Sequence, residues 1–221
     1  MKAIFQMLMA LVFANLVSQA VAQDFGTRKG KELYDTNCIG CHQENASGMP
    51  GFAPSLSSKE FLSIISADDL ASVIRLGIPG TNMTPKSELG EENIRAIVSY
   101  LQSLSPLSGT RAKEVASQPR SSGNAKSGKA LFASICSTCH GDAGVGFDAG
   151  GSGPAVGTTG FRFVHAVTDG YIRTTIREGR SGTKMRPFTG PLGLANLSDQ
   201  EIEDIVAYLR TSPAKRTSPA K

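Results

Sequence analysis

The sequence predicts a helical chain made of two copies of one small domain, and three observations predict it. A five-residue pattern occurs twice, as Cys38-Ile39-Gly40-Cys41-His42 and as Cys136-Ser137-Thr138-Cys139-His140. The residues around the two patterns match in order and spacing, which is the mark of an internal repeat. Each copy closes on a stretch with apolar residues at helical period. The length of 221 residues suits one or two domains.

The first element is a leader. Lys2 is the only early charge, an apolar stretch runs from Ala3 to Val17, and Ala20-Val21-Ala22 forms an A-x-A cleavage site before Gln23. Residues 1–22 are therefore expected to be a signal peptide that sends the chain to the periplasm. The run is short for a membrane span and is interrupted by Gln6 and Asn15. No cysteine directly follows the cleavage site, so a soluble mature protein without a lipid anchor is expected.

Residues 23–105 form the first copy. A helix starting near Gly30 and carrying Leu33 and Tyr34 runs into the Cys38 site. Glycine is costly inside a helix, and its presence there usually permits close approach of another helix. A loop with Ala53-Pro54-Ser55-Leu56 follows, then Ile74-Arg75-Leu76-Gly77, then Gly80-Thr81-Asn82-Met83-Thr84-Pro85. The copy ends in a helix from Leu89 to Leu101. Pro106 to Gly123, rich in Ser, Gly, Lys and Arg and poor in large apolar residues, reads as a linker.

The second copy, 124–210, repeats each piece: Gly128 to Phe132 before the Cys136 site, Gly153-Pro154-Ala155-Val156, Ile176-Arg177-Glu178-Gly179, and Gly182-Thr183-Lys184-Met185-Arg186-Pro187. In its last helix Ser198 and Glu201 have capping-box spacing. Ile202, Ile205, Val206 and Leu209 then form one helical stripe. The glycine-rich run Gly141 to Gly153 follows this pattern rather than a strand, so it does not read as a phosphate cradle. Arg210-Thr211-Ser212-Pro213-Ala214-Lys215 is followed by the same six residues, Arg216 to Lys221, and the tail, 211–221, holds no large apolar residue, so disorder is expected. It reads as a solvated tail or as a basic tether.

C-x-x-C-H is the attachment pattern of a c-type haem. Two thiols form thioethers to the porphyrin edge, and the adjacent histidine is held where its imidazole can bind the iron. The two sites use all four cysteines of the chain and two of its three histidines. Two disulfides would not need a histidine directly after each second cysteine, and a zinc site would want four ligands together. Two covalent haem c groups are expected, on Cys38, Cys41 and His42 and on Cys136, Cys139 and His140. Each domain is small for an apolar core alone, and a haem supplies the missing bulk.

With these motifs in order, the chain resembles class I cytochrome c, repeated as in the two-domain di-haem cytochromes c. The resemblance covers nearly all of the mature chain apart from linker and tail. It implies an all-α fold with crossing first and last helices, Gly30 and Tyr34 near Tyr100, and Gly128 and Phe132 near Tyr208. It implies that a loop carbonyl, of Pro54 or Pro154, fixes each histidine ring. It also implies that Met83 and Met185 are the second axial ligands. After signal cleavage only Met49, Met83 and Met185 remain, and the latter two share a G-T-x-M-x-P setting. Met49 is the competitor in the first copy, and His165, without a counterpart there, is the competitor in the second. Arg75 and Arg177 occupy matching places, either as propionate partners or as solvated helix charges.

The formal net charge is +4, and +3 once Lys2 is removed. Residues 23–105 carry seven basic and ten acidic side chains, and residues 124–209 carry eight of each. No basic stripe with interleaved aromatics suggests a nucleic-acid partner. Arg173, Arg177, Arg180, Lys184 and Arg186 gather around Met185, opposed in that stretch by Glu178. That cluster predicts a basic surface on the second domain that docks an acidic redox partner. The expected function is electron transfer rather than catalysis. The protein is then either a free shuttle to an oxidase or the cytochrome subunit of a dehydrogenase. The rival is a di-haem enzyme of peroxidase or thiosulfate-oxidising type, which would need an open or displaceable iron ligand.

Overall fold

The computed structural model describes residues 26–49, 52–78, 82–105, 109–144, 163–180 and 184–211, together with Gln6 and Met9. The signal cleavage site, Pro154, Gly80-Thr81, Gly182-Thr183 and all but the first residue of the tail lie outside the described residues. In chain order the helices are α1 (26–37), α2 (Ile39–His42), α3 (Lys59–Ile64), α4 (Ala67–Leu76), α5 (Gly90–Ser103), α6 (Thr110–Ala116), α7 (Ala125–Leu131), α8 (Ser137–His140), α9 (Phe163–Ala166), α10 (Asp169–Glu178) and α11 (Asp199–Arg210). A π turn over Phe132–Cys136 joins α7 to α8. Among the described residues no strand forms, and one isolated bridge pairs Met49 with Ala53. The fold is all-α. The chain groups into two compact units, Met1–Ser58 with Leu89–Pro106 and Lys59–Glu88 with Leu107–Lys221.

In the first unit α1 crosses α5 at Gly30. A Cβ on Gly30 would lie 1.9 Å from the Ala96 carbonyl oxygen, so only glycine lets the two backbones meet. One turn on, the Tyr34 and Tyr100 rings pack with centroids 5.2 Å apart and planes tilted by 54°. Tyr34 is fully buried, and its hydroxyl donates to the Gln43 carbonyl at 2.8 Å. Burial raises the Tyr34 phenol above its ordinary range, which keeps it a neutral donor. Ile94, Ile97, Val98 and Leu101 fill the seam from the α5 side.

The second unit builds the same crossing from α7 and α11. A Cβ on Gly128 would lie 1.8 Å from the Asp204 carbonyl oxygen, and the Phe132 and Tyr208 centroids are 5.5 Å apart at 53°. The Ser198–Glu201 capping box forms as its spacing predicts. The stripe Ile202, Ile205, Val206 and Leu209 is buried throughout. A fully buried side chain of this size contributes about 1.5–3 kcal/mol.

The segment between the copies carries a helix, which its composition did not suggest. In α6 the side chains of Ala112 and Val115 are buried, and α6 packs on α3 and α10 within the second unit. Gly170 allows this, since a Cβ there would lie 1.9 Å from the Val115 carbonyl oxygen. Arg111 donates to Ser63 of α3 at 3.3 Å and forms an ion pair with Glu178 of α10. Beyond α6, Ser121 N–H donates to Asp169 at 2.7 Å and Asn124 N–H to Asp204 at 2.7 Å. Helices of both copies therefore share this unit. Phe61 of α3 meets Tyr171 of α10 edge-on at 6.4 Å, and Thr168 donates to Asp69 at 3.2 Å.

Candidate haem sites

Each C-x-x-C-H pattern folds as one helical turn. In the first, Cys38 N–H donates to the Tyr34 carbonyl at 2.8 Å, continuing α1, and His42 N–H donates to the Cys38 carbonyl at 2.9 Å. Residues three and four apart share a helix face, so this turn puts Cys38, Cys41 and His42 on one side. The second turn closes likewise, with Gly141 N–H on the Ser137 carbonyl at 2.7 Å, as Gln43 N–H is on Ile39 at 2.8 Å. None of the four cysteines is in a disulfide, and all are partly exposed. Burial, with the neighbouring Cys139 adding to it, pushes the Cys136 thiol up to about 11.

His42 is 8% exposed, and its Nδ1 lies 3.0 Å from the Pro54 carbonyl oxygen. With the proton on Nδ1 the ring donates to Pro54, and Nε2 keeps its lone pair. Burial holds this imidazole below its usual range, against a smaller opposing pull from the Pro54 carbonyl. His140 is half-buried at the end of α8. The chain leaves each turn through a backbone conformation natural to glycine. Gly141 has φ 73 and ψ 166, and in the first copy Gln43 occupies the same conformation at φ 60 and ψ 174. Asn45 and Ala46 also have positive φ. Sequence reasoning missed this strain, although the glycine at the matching place was a signal for it.

The two methionine loops, both in the second unit, are built alike. Ser66 caps α4 and Thr168 caps α10, each by accepting from the backbone N–H three residues on. Both helices stop at a glycine, Gly77 with φ 61 and Gly179 with φ 70. The next residue then bonds back across the loop: Ile78 N–H donates to the Met83 carbonyl at 2.7 Å, and Arg180 N–H to the Met185 carbonyl at 2.6 Å. Each loop is pinned again further on, by Lys86 N–H to Ile74 at 3.1 Å and by Phe188 N–H to Ile176 at 3.2 Å. A Cβ on either glycine would fall 2.5–2.6 Å from the backbone next to the methionine. Met83 and Met185 are each half-buried. Met49 is 39% exposed and lies beside Gly48, whose N–H donates to the His42 carbonyl at 2.8 Å. His165 is exposed on α9.

The basic cluster needs a correction. Arg173 is 6% exposed and faces inward. It forms an ion pair with Glu203 and donates to Gln118 at 2.8 Å and to the Pro119 carbonyl at 3.3 Å. This guanidinium holds the Glu203 carboxyl below the ordinary carboxylate range. Arg177 donates to Asp199 at 2.7 Å, and the Arg180 guanidinium stands 4.8 Å over the Phe61 ring. Lys184 and Arg186 are exposed.

The donor set fits a covalent haem in each copy: two thiols outside any disulfide and one imidazole on a single helical turn, with the first imidazole's other nitrogen already committed to a carbonyl. That combination of all-helical repeats and thiol–imidazole turns defines a tandem cytochrome c. Known proteins agree with it. The family model of cytochrome c matches residues 27–105, and that of cytochrome C oxidase, cbb3-type, subunit III matches residues 123–209. The chain belongs to the two-domain di-haem cytochromes c, and cytochrome c domains carry covalently bound haem c.

Among relatives, the cbb3-type cytochrome c oxidase subunit CcoP of Rubrivivax gelatinosus is 30% identical over 207 residues, covering 91% of this chain and 60% of that protein. The subunit FixP of Azorhizobium caulinodans is 28% identical over 191 residues, covering 83% and 58%. A thiosulfate dehydrogenase electron acceptor of Stutzerimonas stutzeri is 30% identical over 113 residues, covering 49% and 48%. The chain thus spans about half to three-fifths of the length of these relatives. Among the described residues no helix is long and apolar enough to cross a membrane.

Proposed function

We propose that this chain is a periplasmic electron-transfer cytochrome with two His/Met-ligated haems, ligated by His42 and Met83 and by His140 and Met185. The observation that carries the proposal is the repeated build of the methionine loops. The same glycine stop and the same two backbone bonds fix Met83 and Met185, although the residues between them differ. The bound haem supplies an iron that cycles between ferrous and ferric states, at a fairly high potential with His/Met ligation. The chain's own part is to hold the imidazole by Pro54, to fix the methionine by its loop, and to exclude water with the crossed helices. The apolar N-terminal stretch and its A-x-A site support export. An electron carrier or cytochrome subunit, not itself a catalyst, fits two fixed ligand pairs.

The relatives support a place between a dehydrogenase or quinol-oxidising donor and a downstream acceptor such as an oxidase. Lys184 and Arg186 support docking of an acidic redox protein at the second domain. The test is an optical redox titration of the holo-protein that follows the weak near-infrared band of ferric Met–iron bonding. Two haems should show it, and Met83→Leu and Met185→Leu should each remove one share. A haem that lacks the band in the wild type, or binds carbon monoxide readily when reduced, would replace this reading with a di-haem enzyme.

A further inference from the structure

The largest shift in register between the two copies falls just after the second methionine loop. Matching positions are 98 residues apart at the cysteine motifs, 102 apart from Ile74 and Ile176 through Lys86 and Phe188, and 108 apart from Leu89 and Leu197 to the end of the last helix. The second copy therefore has six extra residues between Phe188 and Leu197. They are not loose. Leu194 N–H donates to the Pro187 carbonyl at 2.9 Å, Gly193 N–H to Gly190 at 3.0 Å, and Leu197 N–H to Phe188 at 2.7 Å. The Thr189 hydroxyl donates to the Arg177 carbonyl at 3.1 Å. Gly190 turns the chain at φ 76, and a Cβ on Gly193 would lie 2.4 Å from the Thr189 carbonyl oxygen. This fixed loop nonetheless leaves Leu192 93% exposed and Leu194 59% exposed.

We propose that the 189–196 loop is the apolar centre of the docking face beside Met185. The occupant is a redox protein with an apolar patch ringed by acidic side chains. This rests on the electron-transfer reading given above. Exposed leucines in a loop held by its own backbone bonds gain nothing for the fold, and their burial is realised only against another surface. The charge around them chooses that surface. Lys184 and Arg186 are exposed, and no acidic residue occurs from 184 to 198. The carboxylates that follow are engaged within the fold, Asp199 by Arg177 and Glu201 by Ser198. An apolar centre with a charged rim is the usual anatomy of a protein interface. The backbone bond from Leu194 to Pro187 sets this centre two residues from Met185, so a docked partner lies next to the second methionine loop.

The test uses the reduced holo-protein in stopped flow with two oxidants, ferricyanide and a purified acidic blue-copper protein. Leu192→Ser with Leu194→Ser should slow oxidation by the copper protein about tenfold, equivalent to about 1.4 kcal/mol, and leave the ferricyanide rate and both haem potentials unchanged. Lys184→Glu with Arg186→Glu should slow both oxidants at low salt and neither at high salt. If the charge reversal slows both oxidants while the double serine variant matches wild type, the loop inference is wrong and the basic face stands. If neither variant changes any rate, the docking face itself is wrong. A wild-type dimer in sedimentation that the serine variant dissolves, or flotation with anionic vesicles that it abolishes, would assign the loop to self-association or to a lipid surface and overturn the proposal.

Discussion

Replacing Gly30 with alanine should destabilise the first copy, against the usual sign for a helix glycine. In an open helix the change is favourable by about 0.8–1 kcal/mol. Here the new Cβ would stand 1.9 Å from the Ala96 carbonyl oxygen. The closest tolerated carbon–oxygen approaches are about 3.3 Å, so α1 and α5 must part by roughly 1.4 Å. A gap of about 0.5–1 Å already forfeits a quarter to a half of each dispersion attraction across the seam. The Tyr34–Tyr100 ring pair, one turn along the same seam, is pulled apart with it. Overpacking of this kind costs about 1–3 kcal/mol and occasionally more. With the propensity gain subtracted, a net loss of about 1 kcal/mol, and about 2 at the upper end, lowers the melting temperature of a domain this size by about 5–10 °C. The assay is thermal unfolding of the holo-protein by circular dichroism. Gly26→Ala is the control, since nothing lies within 4 Å of a Cβ at that position. A Gly30→Ala protein that melts at or above the wild-type temperature would refute the reasoning, whereas Gly128→Ala should repeat the loss in the second copy.

Three further outcomes are expected. Gln43→Gly should stabilise the first copy by about 1 kcal/mol in denaturant unfolding, because it removes a side chain from a glycine-only backbone region that costs about 1–3 kcal/mol. An unchanged midpoint would mean that the Gln43 side-chain bond to Gly40, at 3.3 Å, offsets the strain. Arg173→Ala should cost about 3 kcal/mol, the low end for breaking a buried pair, because Glu203 stays half-buried without its partner. Proteolysis should then cut more readily near Gln118 and Pro119. Asp69→Asn should be more stable than wild type near neutral pH, with the difference closing as pH falls. Burial raises the folded Asp69 carboxyl above its ordinary value, against smaller opposing pulls from Thr168, Ser66 and Arg210. The folded state then binds this proton more tightly than the unfolded chain, so the group's contribution is most favourable below both values and declines as pH rises through them. A gap between the two proteins that stays constant with pH would contradict that assignment.

What the sequence could reveal was local, and what it hid depended on distant partners. The Ser198 cap and the Ile202–Leu209 stripe are set within a few residues of one another, and both formed as their spacing required. The helix glycines were legible because glycine in a helix has few reasons to be there. Helix α6 was not, since only Ala112 and Val115 of that polar stretch are buried, and their burial depends on α3 and α10. Arg173 misled for the same reason. A count of neighbouring charges places it on a basic surface, but its partner Glu203 lies thirty residues away in sequence and takes it inside.

The comparison of the two copies separates what holds a ligand from what meets a partner. Met83 and Met185 are fixed by backbone: a glycine stop, a bond across the loop and a second bond back to the helix. Such an arrangement leaves side chains at the rim free to change without moving the sulfur. They have changed. Between Met83 and Leu89 the sequence brings Lys86 and Glu88, whereas between Met185 and Leu197 it brings Arg186, two exposed leucines and no acid. A chain selected only to carry two equivalent haems would have no reason to lengthen one rim and remove its acid. The largest insertion sits at the margin of a preserved loop, which is where specificity for different partners can be altered at least cost to the iron site.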